Sequence, residues 1–314
     1  MTRPTFKTVT RTQGNNRALK EGRVKPETFD FEFEEVPVLV KAFRRMVRDL
    51  EFDICEMAIT TYICAREHGV KFTALPIFLV RDFHHGAITA NMDAGFTSPK
   101  DLEGQKVGVL NGYTKTGGVW ARGILQDEYN VDLSKVTWVL SGDEHVVTYT
   151  PPENVVPLEA GKDMKECIVS GEIPAAVGID VDSDKMRPMI EDPFEAAVEA
   201  MKTRRFYPIN HLVVVRDDVL AAHPDMAVDL FNTFSASKKL YVDQLKAGEI
   251  TEPTRIDKIH LRALECMDDP VPFGIEPSRH VLEELIGHAM RQKIITRPVH
   301  MEGLFAESTR DLVG

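Results

Sequence analysis

The sequence predicts an α/β fold made of two lobes with a ligand cleft between them. Strand-like and helix-like apolar patterns alternate along almost the whole chain, which is typical of α/β architecture. After Ser98 and Pro99 the alternation begins again, so that two β-α series follow one another. The 314 residues suffice for two domains of ordinary size. We expect one lobe to contain residues 1–105 and 209–314, and the other to contain residues 106–208.

The first series combines short strands with one clearly amphipathic helix. Pro37 suits the first turn of this helix, because an N–H group at that position would have no partner inside the helix. Apolar residues then recur on one face from Val40 to Leu50. The strands predicted in this series cover residues 8–10, 29–34, 52–54, 72–80 and 86–91. The helices predicted in this series cover residues 15–21, 37–50 and 57–67.

The second series begins at residue 107 and leads into a mostly helical C-terminal third. Pro224 and its neighbours supply the start signal of a long helix that continues to about residue 245. The strands predicted in this part cover residues 107–110, 175–179 and 211–215. Three further helices are predicted here. One opens at Gly117 and Gly118, and the others cover residues 158–170 and 278–292.

The stretch 107–129 is the most informative part of the chain. Its strand is followed by a polar loop and by Gly117 and Gly118, which open a helix. The first-turn N–H groups of such a helix lack intrahelical partners, and together with the helix dipole they favour an anion. Thr116 has the side chain of an N-cap residue. The stretch therefore predicts a small acidic ligand, with an ordinary β-α turn as the alternative. It contains neither a Walker loop nor GxGxxG, so it does not indicate a nucleotide.

The composition narrows the classes of partner and the location. A formal net charge of −11 disfavours nucleic acid and anionic membranes, which attract clustered Lys and Arg. The four cysteines show no CxxC spacing and no zinc-site pattern, so no metal is expected. The N-terminal stretch lacks the apolar core of a signal peptide, and no run is long and apolar enough to span a bilayer. We therefore expect a cytoplasmic protein.

The RDFHH turn between strands 72–80 and 86–91 could carry chemistry. Arg81 could hold a carboxylate in bidentate fashion, and His84 or His85 could exchange a proton near neutral pH. Adjacent residues of an extended segment point to opposite faces, so at most one of these histidines would face the cleft. A solvated polar turn is the alternative.

Further candidate residues lie in three other segments. Glu56 stands in the apolar stretch FDICEMAITTY, where it would cap a helix or face the cleft. His211 precedes a run of β-branched residues, either at the hinge between the lobes or inside the core. Tyr113 and Arg122 belong to the loop and the first helical turns after residue 110, together with Trp120, a residue more typical of a core.

Long segments of the chain resemble the 4,5-dihydroxyphthalate decarboxylase family, which has the type II periplasmic-binding-protein fold. The segments are NNRALKEGRVKP, EFDICEMAITTYICAREHG, LPIFLVRDFHHGAI, SPKDLEGQKVGVLNGYTKTGGVWARGILQDEYNV, PINHLVVV and DPVPFGIEPSRHVLEELI. The family's RxFRH pattern falls on Arg81, Phe83, His84 and His85, with His84 replacing the second arginine. Its loop with Tyr, Thr and two small residues falls on Tyr113, Thr116, Gly117 and Gly118.

Several positions depart from the family's pattern. The acidic position of the family falls on Glu56, but Asn15 or Asn16 stands where an arginine is usual. Asn111, Gly112 and Lys115 also differ from the residues expected around the ligand. The exact substrate is therefore left open by the resemblance.

The resemblance implies decarboxylation, without a cofactor, of a hydroxylated aromatic acid such as 4,5-dihydroxyphthalate, which would give protocatechuate. Under this hypothesis His85 donates the proton, and Glu56 or His211 engages the ring hydroxyls. The residues expected to contact the substrate are Arg81, His84, Tyr113, Thr116, Gly117, Gly118 and Arg122. We further expect a homo-oligomer. The alternative function is a solute-binding or sensor protein that binds an aromatic acid without catalysis.

Overall fold

The computed structural model describes residues 3–314, which form two compact units of chain. The first unit contains the residues up to Asp82 together with Ile209–Glu284 and Pro298–Gly314. The second unit contains Phe83–Pro208 and Leu285–Arg297. Within residues 3–314, no helix has the length and apolar character needed to cross a membrane.

The regular elements alternate along most of the chain. The strands are β1 (Thr5–Val9), β2 (Asp30–Phe33), β3 (Ile54–Ala58), β4 (Phe72–Arg81), β5 (Ile88–Asn91), β6 (Lys106–Leu110), β7 (Thr137–Ser141), β8 (Val155–Pro157), β9 (Ala175–Val177), β10 (Met186–Pro188) and β11 (Ile209–Arg216). The α-helices are α1 (Arg17–Lys20), α2 (Leu39–Asp49), α3 (Ile59–Glu67), α4 (Thr116–Tyr129), α5 (Met164–Ser170), α6 (Pro193–Arg204), α7 (Asp217–Ala222), α8 (Met226–Lys246), α9 (Arg255–Ala263) and α10 (Arg279–Arg291). Short 3₁₀ turns include Gly14–Asn16, His85–Ala87, Pro99–Leu102 and Glu276–Ser278.

The first unit is built on a five-stranded sheet in the order β2-β1-β3-β11-β4. Strand β1 runs parallel to β2 and β3, whereas β11 runs antiparallel to β3 and β4. All five residues of β3 are buried, as expected of an apolar central strand. The carboxyl ends of β1, β3 and β4 therefore lie at the edge of the sheet where β11 begins.

The second unit is built on a six-stranded sheet in the order β10-β5-β9-β6-β7-β8. Strands β6 to β9 are mutually parallel, and β5 runs antiparallel to β9. Strand β5 pairs in this sheet, and the first unit accordingly ends its initial segment at Asp82. A compact apolar cluster that includes Met164 and Ile168 packs α5 against β7 and β9.

The predicted elements differ from the observed ones mainly in their boundaries. The strand expected over 52–54 lies over Ile54–Ala58, because these residues pair with β11, and α3 starts only at Ile59. Glu56 consequently lies inside a strand and not after it. The helix expected over 158–170 is confined to α5, where Asp163 accepts hydrogen bonds from the first-turn amides of Lys165 and Glu166.

Candidate functional site

A polar cavity of about 620 Å³ lies in the first unit, next to the edge where β1 and β4 end. One wall comes from the segment between β1 and α1, a second from the adjoining ends of β4 and β11, and a third from α8 and α9. Its size falls in the range of small-molecule sites. The lining residues used below are Arg11, Gln13, Asn15, Arg17, Asp82, His211, Ser237, Tyr241, Arg255, Asp257 and His260.

A carboxylate–imidazole pair borders this cavity. Glu56 on β3 and His211 on β11 occupy diagonal positions on one face of neighbouring strands. The Nδ1 atom of His211 lies 2.7 Å from Oε1 of Glu56, and Oε2 of Glu56 accepts the backbone N–H of Arg11 at 2.8 Å. The rings of Phe43 and His211 pack almost at right angles, with their centroids 5.1 Å apart. If Nδ1 donates to Glu56, Nε2 carries the lone pair and can exchange a proton with a ligand.

Two guanidinium groups give the cavity its positive charge. Within residues 3–314, the side chains of Arg11 and Arg17 have neither an ion-pair nor a hydrogen-bond partner. By contrast, Nη1 of Arg255 donates to Asp82 at 2.8 Å, and this ion pair raises the pKa of Arg255. The two unpaired cations can attract a carboxylate despite the acidic net charge of the chain.

The loop between β6 and α4 binds an anion, but the anion belongs to this chain. The backbone N–H groups of Tyr113 and Thr114 donate to the carboxylate of Glu144 at 2.5 and 3.3 Å. The hydroxyl of Thr114 adds a third hydrogen bond at 2.8 Å. Gly112 has a φ of +107°, and a Cβ atom there would lie 2.9 Å from the Glu144 carboxylate. The N-cap of α4 is Lys115 and not Thr116 as expected.

Arg122 is packed inside the second unit. Its guanidinium lies 3.8 Å from the centre of the Tyr113 ring, and Nη2 donates to the Tyr113 carbonyl at 2.6 Å. Its Nε donates to the side-chain oxygen of Gln292 at 2.8 Å. Burial lowers the pKa of Arg122. A Cβ atom on Gly118 would lie 3.1 Å from this guanidinium. A residue without a side chain at position 118 therefore leaves room for Arg122.

The residues of the RDFHH turn are divided between the units. Arg81 ends β4 in the first unit, is buried, and donates from Nη2 to the Ser278 hydroxyl at 2.7 Å. His84 is buried in the second unit. A Cβ atom on Gly117 would lie only 3.3 Å from the His84 ring. His85 is fully buried, and its Nε2 lies 3.1 Å from the Glu128 carboxylate, which also binds Arg204.

The structure thus brings Glu56 and His211 together in the first unit. In the second unit it places Arg122 against Tyr113 and Gly118, and His84 against Gly117. Sequence reasoning missed Arg11 and the residues of α8 and α9 that line the cavity. The basic stretch NNRALKEGR, inside the first resembling segment, was an available signal for Arg17, whereas Arg11 lies just before it.

Two curated proteins share substantial sequence similarity with the chain. A protein of Comamonas testosteroni named 4,5-dihydroxyphthalate decarboxylase is 28% identical over 280 residues, which cover 84% of each chain. A protein of the same name from Pseudomonas putida is 31% identical over 144 residues, or 43% of this chain and 55% of that one. This chain is a relative of proteins named 4,5-dihydroxyphthalate decarboxylase. The resemblance predicted from the sequence is thereby confirmed, and the matched names support the predicted decarboxylase class. No protein-family model matches the chain.

Solved structures show the fold. The desulfurization enzyme DSZB has a TM-score of 0.56 at 12% identity and covers 97% of this chain and 96% of its own. A Candida albicans protein, described as having the generic periplasmic binding protein fold, has a TM-score of 0.54 at 13% identity. It covers 94% of this chain and 92% of its own. These similarities confirm the predicted periplasmic-binding-protein-like fold.

Proposed function

We propose that this protein decarboxylates a hydroxylated aromatic dicarboxylate, 4,5-dihydroxyphthalate or a close analogue, giving protocatechuate in the first case. The protein is an enzyme of the carboxy-lyase class. The observation that carries the proposal is the match to a decarboxylase over 84% of both chains. The first-unit cavity supports it, since His211 of the carboxylate–imidazole pair lines that cavity together with the guanidinium groups of Arg11 and Arg17.

The reaction replaces a carboxylate on the ring by hydrogen. A hydroxyl para to the reacting carbon releases electron density into the ring, most strongly when it is partly ionised. A proton then adds to that carbon, the bond to the carboxylate breaks, and the electron pair of this bond returns to the ring as carbon dioxide leaves. The enzyme must therefore supply a proton, stabilise charge on the hydroxyl oxygens and hold the second carboxylate.

We assign the proton transfer to His211. It lines the cavity, and the contact of its Nδ1 with Glu56 fixes the orientation of the ring. Positioned acid–base groups of this kind contribute about 10²–10⁴ in rate. Arg11 and Arg17 hold the carboxylate that remains on the ring. The competing hypothesis, predicted from the sequence, makes His85 the proton donor. In that hypothesis Arg81 and the loop from Tyr113 to Gly118 hold the carboxylate of the substrate.

The experiment is a measurement of carbon dioxide release from a panel of hydroxylated phthalates and benzoates. We expect release from 4,5-dihydroxyphthalate and none from phthalate, which lacks the electron-releasing hydroxyl. Calorimetric titration with the same panel gives the control. Binding of 4,5-dihydroxyphthalate without carbon dioxide release would replace the proposal by the alternative, a non-catalytic binding or sensor protein.

Two further expectations accompany the proposal. The cytoplasmic location and the homo-oligomeric state are predictions from the sequence. Light scattering coupled to size-exclusion chromatography measures the second, and a monomer at micromolar concentration would contradict it.

A further inference from the structure

The cavity of the first unit contains a second group of polar side chains besides its arginines. Four lining residues carry a buried polar side-chain atom without a hydrogen-bond partner among the described residues. These atoms are Nε2 of Gln13, Oδ1 of Asn15, Oγ of Ser237 and Nε2 of His260. A buried polar atom left unpaired costs about 1–3 kcal/mol, so a polar guest that reached the four atoms beside this cavity would lower that cost. We call these four residues, with Tyr241, the polar wall.

A close approach of two segments assembles the polar wall. The 3₁₀ turn Gly14–Asn16 packs on α8, and a Cβ atom at Gly14 would overlap the ring of Tyr241. Asn15 is fixed in this turn because its Nδ2 donates to the Leu79 carbonyl at 2.8 Å. Its remaining oxygen, Oδ1, is an acceptor that no residue within 3–314 uses.

A hydrogen-bond chain determines the tautomer of His260. The carboxylate of Asp257 lies 2.5 Å from the Tyr241 hydroxyl, and that hydroxyl lies 2.7 Å from Nδ1 of His260. Burial alone would raise the pKa of Asp257, but hydrogen bonds from Tyr241 and Thr254 outweigh it and lower that pKa. Asp257 is thus an ionised acceptor, and the single hydroxyl proton of Tyr241 goes to it.

The Nδ1 atom of His260 must then be the donor to the Tyr241 oxygen. Burial lowers the pKa of His260 to about 4, so the ring is neutral at pH 7 and carries only one N–H. Its Nε2 is therefore a bare acceptor, buried and unpartnered, on a residue that lines the cavity. Such an atom requires a donor, which a carboxylate cannot supply and a neutral hydroxyl group can.

We propose that the polar wall binds the hydroxyl groups of the ligand, with Nε2 of His260 accepting a hydrogen bond from one of them. This inference rests on the proposed function and assigns the two ends of the ligand to different parts of the cavity. The carboxylate lies toward Arg11 and Arg17, and the hydroxyl-bearing edge lies toward His260 and Ser237. The polar wall then determines specificity for hydroxylated aromatic acids. An aromatic acid without hydroxyl groups would leave the polar atoms of the wall unpaired.

The test compares 3,4-dihydroxybenzoate with benzoate, which differ only in the two hydroxyls, by calorimetric titration. His260→Asn retains a donor toward Tyr241 but removes the acceptor, whereas His260→Gln places a carbonyl oxygen near the position of Nε2. We expect His260→Asn to weaken binding of the dihydroxy acid about tenfold and to change benzoate binding less than twofold. His260→Gln should recover part of the loss.

An equal effect of His260→Asn on both acids, or no effect, would overturn the inference and assign the wall to ordered water or packing. If the variants fold poorly, ¹⁵N NMR of the unaltered protein gives the answer. The Nε2 resonance of His260 should move on addition of the dihydroxy acid but not of benzoate, and an unmoved resonance would contradict the inference. Because binding and not turnover is measured, this result is independent of whether carbon dioxide is released.

Discussion

The two units each contain a histidine–carboxylate pair, and the two pairs are built in opposite ways. In the first unit the carboxylate of Glu56 is fully buried, and the imidazole of His211 is 18% exposed beside a cavity. In the second unit the imidazole of His85 is only 1% exposed, and the carboxylate of Glu128 is 21% exposed. The first pair leaves its imidazole ring open to the cavity, whereas the second pair encloses its ring.

The surrounding charges strengthen this contrast. The carboxylate of Glu128 also forms an ion pair with Arg204, so the second pair belongs to a three-residue ion-pair network. The hydrogen-bond partners of Glu56 among residues 3–314 are His211 and the backbone N–H of Arg11, and neither is a lysine or arginine side chain. This difference in exposure is the reason for assigning the proton transfer to His211 and not to His85.

The largest expected effect comes from dismantling the first pair. His211→Asn should lower the rate of carbon dioxide release by about 10²–10⁴, with a smaller change in ligand affinity. Adding Glu56→Gln to that variant should cost little more, because residues that act as one unit are not additive. A double-mutant cycle with single-turnover kinetics measures this. Fully additive losses would show that Glu56 acts independently of His211.

The buried arginine of the second unit should affect stability and not binding. Arg122→Lys loses the stacking on Tyr113 and the planar hydrogen-bonding geometry, and we expect it to lower the free energy of unfolding by about 2–3 kcal/mol. Urea denaturation measures this, and Arg11→Lys is the matched control, with a change within about 0.5 kcal/mol. A stable Arg122→Lys variant with a raised KM would instead favour the substrate contact predicted from the sequence.

The unpaired arginines of the first unit should show the converse behaviour. Arg11→Gln removes a cation that has no partner within residues 3–314, so stability should hardly change. Affinity for an aromatic carboxylate should fall about tenfold, the ordinary contribution of one hydrogen bond to a charged group. Calorimetric titration at low and high salt tests this, since the loss should shrink as salt screens the charge. An unchanged affinity would exclude Arg11 from the site.

The smallest effect concerns acid stability. Burial raises the pKa of Glu128, but its hydrogen bond to His85 and the charges of His85 and Arg204 outweigh that and lower the pKa below its usual 4.5. A carboxyl group with a lowered pKa stabilises the folded state above its unfolded pKa, and this contribution is lost as the pH falls through the folded value. We expect this group to make the free energy of unfolding lower by about 1 kcal/mol or less at pH 3.5 than at pH 6. That contribution should be absent in Glu128→Gln. An identical pH dependence in the variant would contradict it.

Local patterns predicted much of the fold but not how the site residues meet. The β-branched run of β11 and the apolar run of β4 were visible in the sequence, and so were Glu56 and His211 as candidates. Their pairing depends on the register of β3 against β11, which joins residues 155 positions apart and leaves no local signal. The binding of Glu144 to the loop between β6 and α4 is likewise a contact between distant residues, without a local signal. Glu144 lies 30 residues beyond that loop in an irregular segment.

The central claim is that the exposed ring of the first pair, and not the enclosed ring of the second, transfers the proton. The most direct measurement is single-turnover release of labelled carbon dioxide from 4,5-dihydroxyphthalate by His211→Asn and His85→Asn, with folding of both checked by circular dichroism. We predict that His211→Asn loses at least 100-fold in rate and that His85→Asn keeps its rate within about tenfold. The reverse order, with His85→Asn inactive and His211→Asn active, would contradict the account.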